Sequence, residues 1–300
     1  MGRILITRHG ETEWNKIRRM QGHQNSPLSE LGVKQAEWLK RRLCNESIDA
    51  IYSSPLGRAY DTAMILEGKK GISLNKLCNE VDFLVSVGGD VTLLSVVRKS
   101  FNYEKPVLGI NLGTLGFLTD INMDELEKFL GDFKSGVYRI DNRMMVEGAL
   151  NLNSFVAFND IVISRKSISS MISIDAKIDG KPFNSYYGDG VIVSTPSGST
   201  AYNLSVGGPL VYPLTEAFII TPVAPHSLTQ RPLVMPADFE IEFTISDNQG
   251  AVVIVDGQDI YEVEQNESIK IKIASKKAKM IHRVERNYFD VLNEKLRWGN

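Results

Sequence analysis

The chain has 300 residues, of which 43% are hydrophobic, 23% charged and 8% aromatic. That is long enough for two folded cores, and it lies outside the disordered, collagenous and disulfide-rich classes. The 34 basic and 36 acidic residues leave a net charge of -2, so no global positive field recommends nucleic acid or an anionic membrane surface as a partner. An anionic ligand must be held locally. Cys44 and Cys78 stand far apart with no metal-like spacing, as in a reduced intracellular chain. The apolar run before Thr7-Arg8-His9 is too short for a signal-peptide core or a membrane span, which places the protein in the cytoplasm as an expectation.

In chain order, Arg3–Thr7 reads as a short buried strand, and Ser29–Leu43 as a helix with Leu31, Gln35, Leu39 and Leu43 on one stripe. Ala50–Ser53 and Gly57–Leu66 repeat that order, so the start reads βαβα. The charge balance then changes. Residues 1–72 hold 12 basic against 8 acidic side chains, leaving 22 against 28 for the remainder. The polar, glycine-flanked Glu67–Gly71 marks a junction there. Beyond it Phe83–Val87 reads as a strand, Gly88-Gly89-Asp90 as a turn, Thr92–Lys99 as a helix and Val107–Ile110 as a strand, with α/β alternation persisting to about Leu130.

From Tyr138 the pattern becomes short β-rich runs separated by Gly, Pro, Asn and Asp: 155–157, 161–164, 191–194, 241–245, 252–255 and 269–273. Tyr288–Trp298 closes the chain as a helix. The expected architecture is α/β plus all-β: a parallel α/β amino-terminal domain, then a β-sandwich, with the carboxy-terminal helix returning to the first domain. The expected divisions are 1–72, 73–138, 139–275 and 276–300.

Two sets of motifs carry chemistry. Arg8-His9-Gly10-Glu11-Thr12, Asn15 and the segment from Ser53 to Arg58 resemble the histidine phosphatase superfamily, to which cofactor-dependent phosphoglycerate mutase belongs. A neutral imidazole attacks phosphorus and cationic forks hold the phosphoryl oxygens. The resemblance implies His9 as nucleophile, Arg8 and Arg58 as clamp and Asn15 as a neutral donor. The family's second histidine, usually followed by glycine, has no counterpart, because His23, His226 and His282 all lack that glycine. This segment therefore reads as a vestigial phosphatase fragment.

The second set begins at Gly88-Gly89-Asp90-Val91-Thr92, a strand-to-helix turn of the kind that holds phosphate on backbone N–H groups. It continues through Gly109–Asp120, Asn159-Asp160, Gly188–Tyr202, Gly207-Gly208-Pro209, Pro225-His226-Ser227-Leu228 and Asp256-Gly257-Gln258. Over about residues 76–300 these blocks resemble the NAD kinase family in order and spacing. The resemblance implies transfer of the ATP γ-phosphoryl group to the 2′-hydroxyl of the adenosine ribose of NAD, giving NADP, with Mg²⁺ or another divalent cation. It implies Asp90 as acceptor of the hydroxyl proton, with Gly88, Gly89 and Thr92 around the phosphates. Asn159 and Asp160 would contact the adenosine, and Phe117 would flank the adenine. Ser197, Thr200, Ala201 and Tyr202 would line the dinucleotide pocket, Asp189 would face the second ribose, and His226 would reach a phosphate. Small-molecule nucleotides are the implied partners, and a homodimer or homotetramer the implied assembly.

The chain departs from the family at Val91, where the motif has glycine. If that place requires positive φ or close approach of a phosphate, a β-branched side chain weakens ATP binding or misplaces Asp90. The family's own first strand and helix are replaced by the phosphatase-like segment, the mark of a fusion or chimera. Two alternatives stay open: phosphoryl transfer through His9, and a catalytically dead NAD(P)-binding chimera.

Overall fold

The computed structural model describes residues 7–17, 19, 26–46, 53, 57–67, 74–111, 116–119, 121–122, 124–167, 170–247 and 250–297. They fall into two compact units, Met1–Leu77 and Cys78–Asn300.

In the first unit, α1 (Glu13–Lys16), α2 (Glu30–Leu43) and α3 (Gly57–Glu67) are followed by α4 (Leu74–Glu80), which runs into the second unit. Thr12 and Asn15 form a reciprocal capping box on α1. Ser29 caps α2 by accepting from Gly32 N at 3.0 Å. The two strands expected at 3–7 and 50–53 lie, apart from Thr7 and Ser53, outside the described residues. The helix expected at 29–43 is present, but its buried face is Gly32 and Ala36, while Leu31 and Gln35 are exposed. The reason is close approach: a Cβ on Gly32 would stand 1.9 Å from the Glu11 carbonyl oxygen. Backbone contact therefore takes the place of a leucine stripe.

The second unit contains three sheets. The first joins β1 (Leu84–Val87), β2 (Val107–Asn111), β17 (Ala278–His282) and β4 (Arg139–Arg143), with β3 (Ile121–Asn122) also beside β2. The pairs within β1, β2, β3 and β17 are parallel, whereas β17 and β4 run antiparallel. The sheet is thus mixed rather than purely parallel. The run Arg139–Arg143, placed by its composition at the start of the sandwich, belongs to this sheet, and β17, near the end of the chain, returns to it. Helix α5 (Asp90–Lys99) packs on β1 and β2. Its buried Leu93 meets Gly109, where a Cβ would stand 2.9 Å from the leucine. That contact fixes where the amino terminus of α5 lies. Helix α6 (Leu126–Lys134) follows β3.

The other two sheets are antiparallel and six-stranded. One runs β12 (Leu233–Pro236), β11 (Ala217–Val223), β10 (Gly190–Ser194), β7 (Asp160–Arg165), β14 (Ala251–Val255) and β15 (Asp259–Val263). The second runs β6 (Asn153–Ala157), β5 (Val146–Leu150), β16 (Ser268–Ile273), β13 (Ile241–Ile245), β8 (Ile172–Ile178) and β9 (Lys181–Gly188). Alternate residues of both sheets share one core, in which Ile161, Ile163, Val191 and Phe218 join Ile172, Ile174, Phe243 and Ile271. Each such side chain contributes about 1.5–3 kcal/mol by leaving water. The expected sandwich is therefore present. After β10 come a 3₁₀ turn at Ser197–Thr200 and the short α7 (Tyr202–Ser205), and α8 (Tyr288–Leu296) closes the described chain under an Asn287 cap.

Candidate functional site

Strand β1 delivers the chain to Gly88 and Gly89, and α5 begins at Asp90. Gly88 has φ +156°, and a Cβ there would stand 2.6 Å from Thr92 Oγ1. Gly89 caps the helix without a side-chain hydrogen bond, and Thr92 N donates back to the Gly89 carbonyl at 3.0 Å. Asp90 turns its carboxylate into the loop after β2. Oδ2 accepts from Phe117 N at 2.8 Å. Oδ1 accepts from Leu118 N at 3.3 Å, Thr119 N at 3.1 Å and Thr119 Oγ1 at 3.0 Å. The loop can close this far only because residue 116 is glycine, where a Cβ would stand 1.9 Å from Asp90 Oδ1.

Val91 lies within α5, is absent from the residues with positive φ, and is 52% exposed. The expectation of backbone strain at Val91 is corrected: its position is ordinary helix, which a β-branched residue tolerates at small cost.

A second cluster forms around Asp256, whose side chain is fully buried and whose φ is +50°. Its carboxylate accepts from Phe158 N, Asn159 N and Asp160 N at 2.8, 2.8 and 2.9 Å. Arg98, two turns along α5 from Asp90, stands with Nε 3.4 Å from Asp256 Oδ2 and 3.0 Å from the Val156 carbonyl. Its other nitrogens reach Gln258 Oε1 at 3.2 Å and Asp259 Oδ2 at 2.5 Å, and Gln258 Nε2 donates to the Val91 carbonyl at 3.3 Å. This guanidinium ties the helix that begins at Asp90 to the loop carrying Asn159 and Asp160. Neither Arg98 nor the cradle role of Gly116 is apparent from the motifs.

Asp160 is 4% exposed, and burial followed by the Asp256 charge pushes its pKa up to about 7. Asn159 Oδ1 is buried with no hydrogen-bond partner. A buried orphan acceptor costs about 1–3 kcal/mol unless a ligand donor completes it. The Ser197–Thr200 turn closes over the same place: Thr195 Oγ1 donates to the Phe158 carbonyl at 2.6 Å and accepts from Gly198 N at 3.1 Å. A Cβ on Gly198 would stand 2.1 Å from the Asn159 carbonyl oxygen. Asn159, Asp160 and Ser197 are thus brought together, with Thr200 and Ala201 half-buried and Tyr202 45% exposed beyond them.

Asp189 and His226 lie elsewhere. Asp189 precedes Gly190 at the opposite end of β10 from Ser194, about 16 Å away along an extended strand. It pairs with Arg165 at 3.1 Å. The exposed His226 stands beside Tyr187, ring centroids 5.7 Å apart.

In the first unit, His9 Nδ1 lies 2.7 Å from the Gly10 carbonyl, which can only accept, so Nδ1 carries the proton. Burial, with the charges of Arg58 and Arg8, holds the imidazole pKa below its ordinary value against the opposing hydrogen bond. The ring is neutral near pH 7 and Nε2 keeps its lone pair. Asn15 Oδ1 is engaged by Thr12 N and Oγ1 at 3.0 and 2.9 Å, leaving its amide nitrogen as the available donor.

Among the described residues, no cluster of three His, Cys, Asp or Glu side chains forms a metal site, and no helix is long and apolar enough to cross a membrane.

The second unit thus carries the Gly88–Asp90 turn on its α/β part and the Asn159–Asp160 loop on its two-sheet part, linked through Arg98. Residues 158–283 match the ATP-NAD kinase C-terminal domain, and residues 4–84 match the histidine phosphatase superfamily, branch 1. An NAD kinase from Sulfurimonas denitrificans is 49% identical over 265 residues, covering 85% of this chain and 91% of that one. One from Wolinella succinogenes is 50% identical over 237 residues, covering 78% and 82%. Among solved structures, yeast NADH kinase complexed with NADH superposes with TM-score 0.72 at 26% identity, covering 89% of this chain and 84% of that one. The NAD kinase from Archaeoglobus fulgidus in complex with ATP gives TM-score 0.65 at 31% identity, covering 74% and 85%. The chain belongs to the NAD kinase family.

Proposed function

We propose that the chain transfers the γ-phosphoryl group of ATP to the 2′-hydroxyl of the adenosine ribose of NAD, releasing ADP and NADP. The observation that carries this reading is the joining, through Arg98, of the helix that begins at Asp90 to the Asn159–Asp160 loop with its orphan acceptor. The open first turn of α5 takes the triphosphate through Gly88, Gly89 and Thr92. Asn159 Oδ1 accepts from the adenine amino group and Asp160 accepts from ribose hydroxyls. Phe117 flanks the adenine, and Ser197, Thr200, Ala201 and Tyr202 line the pocket. The 2′-oxygen attacks the γ-phosphorus, the bond to the β,γ-bridging oxygen breaks, and the hydroxyl proton passes to Asp90 Oδ2, which carries a single donor and keeps a lone pair. Mg²⁺ belongs on the ATP phosphates, where it supplies charge neutralisation and needs no protein cage. Asp189 and His226, a strand's length from Asn159, suit a nucleotide held by a second copy, in keeping with a homodimer or homotetramer in the cytoplasm.

Residues 1–72 are read as a joined phosphatase-like segment, with 73–138, 139–275 and 276–300 as the kinase parts. Arg8, His9, Asn15 and Arg58 are its vestigial site, since the superfamily's second histidine has no counterpart. NADP formation from ATP, Mg²⁺ and NAD, coupled to an NADP-specific dehydrogenase, tests the function. Absent turnover with NAD still bound would leave a dinucleotide-binding chimera.

Two further expectations follow from the geometry. Val91→Gly removes an exposed isopropyl group beside the open helix turn, so KM for ATP should fall severalfold with kcat unchanged. The fold should lose only about 0.3–0.5 kcal/mol to the added helix flexibility, because valine is itself a weaker helix former than alanine. An unchanged KM would show that Val91 stands clear of the phosphates.

Asp160 accepts from ribose best when ionised, and its pKa of about 7 makes the ionised fraction fall about tenfold between pH 8 and 6. KM for NAD should rise about tenfold over that interval in the wild type. Asp160→Asn should remain weak and flat with pH, whereas a persisting slope would place the titration elsewhere. The sign for stability is opposite. Between about pH 4 and 7 the folded chain retains a proton on Asp160 that the unfolded chain has released, so this group lowers stability as pH rises.

A further inference from the structure

The turn that receives Asp90 is bound from its other side as well. Arg286, between β17 and α8, is 8% exposed. Its NH1 donates to the Leu118 carbonyl at 3.2 Å, and NH2 to the Phe117 carbonyl. The same NH1 stands 3.0 Å from His282 Nδ1. A guanidinium only donates, so Nδ1 accepts and the ring proton sits on Nε2, which stands 3.6 Å from Asp141 Oδ2. Asp141 is held in turn by Arg143 at 3.0 Å and Arg139 at 3.2 Å. The guanidinium is thus anchored from behind by His282 of β17.

Residues 117 and 118 therefore give their N–H groups to Asp90 and their carbonyls to Arg286. We propose that Arg286 is a positioning residue for phosphoryl transfer, clamping the 116–119 turn against Asp90 so that the carboxylate and Phe117 are held at fixed places beside the nucleotide. The inference rests on the kinase reading and on Asp90 as proton acceptor. Its physical basis is that a planar fork reaches two adjacent carbonyls at once, whereas an ammonium is a point donor. A turn bonded on one side only rotates its peptide groups, and displacement of a reacting group by about 1 Å costs up to 10²-fold in rate. The carboxy-terminal segment, which supplies no residue expected to touch nucleotide, would in this way govern the site.

The test uses the full chain with Arg286→Ala and Arg286→Lys, read by kcat, by KM for ATP and by amide hydrogen exchange of peptides covering 117–119 and 190–194. Arg286→Ala should speed exchange at 117–119 at least about tenfold without changing 190–194, and should lower kcat about 10–100-fold with KM for ATP within about twofold. Arg286→Lys should recover part of both losses. Unchanged exchange at 117–119, or unchanged kcat despite faster exchange there, overturns the proposal. So does faster exchange at both peptides with no recovery by lysine, the signature of general destabilisation. Full turnover by Asp90→Asn in the same assay would remove the proton-acceptor assignment instead, while the exchange at 117–119 still decides whether Arg286 clamps the turn.

Discussion

Asp90→Asn should lower kcat for NADP formation by about 10²–10⁴-fold, the range a positioned general base supplies. Two physical losses combine. The amide has no basic oxygen able to take the 2′-hydroxyl proton. It also turns an N–H₂ group toward a loop that presents only donors, since Phe117 N, Leu118 N, Thr119 N and Thr119 Oγ1 all point at the carboxylate. One amide oxygen can keep the Oδ1 bonds, but the nitrogen then faces Phe117 N with nothing to accept. NAD binding, carried by the Asn159 and Ser197 region, should persist within about threefold, since neither residue bonds to Asp90. Coupled-assay kinetics with a direct NAD titration separate the two quantities. A kcat within threefold of wild type would show that Asp90 only organises the turn.

Asp256→Ala should produce the largest loss of stability. The substitution leaves three buried N–H groups of 158–160 without their acceptor and deprives Arg98 of a buried counter-charge. Breaking such a pair from one side costs about 3–5 kcal/mol. In a unit of this size that lowers the melting temperature by about 6–20 °C. The Asn159–Asp160 loop loses its support at the same time, so affinity for NAD should drop with it. Removing Asp256 also takes away the neighbouring charge that raises the Asp160 pKa. Thermal unfolding monitored with and without NAD decides the matter, and a shift under about 2 °C would show that the loop stands without this carboxylate.

The sequence by itself determined the family, the α/β-then-β order of the second unit and the blocks proposed to form the site. Those features are local: a strand ending in Gly88-Gly89, a helix after Asp90, and alternation in runs such as 161–164 and 191–194 leave their mark in adjacent residues. Even Asp256-Gly257-Gln258 stands out as a block, although nothing around it announces three N–H groups from a loop almost a hundred positions earlier. Tertiary structure alone decided the rest, because the remaining features depend on pairs distant in sequence. Residues 139–143 read as sandwich but join the first sheet, since pairing with 278–282 is a long-range choice that strand propensity does not encode. The leucine stripe of 29–43 gave way to Gly32 and Ala36, as backbone contact with Glu11 fixed the packed face. The left-handed φ feared at Val91 is absent, because α5 starts one residue earlier, at Asp90. Arg98 and Arg286 carry no motif, and their importance lies in the carboxylates and carbonyls that folding brings to them.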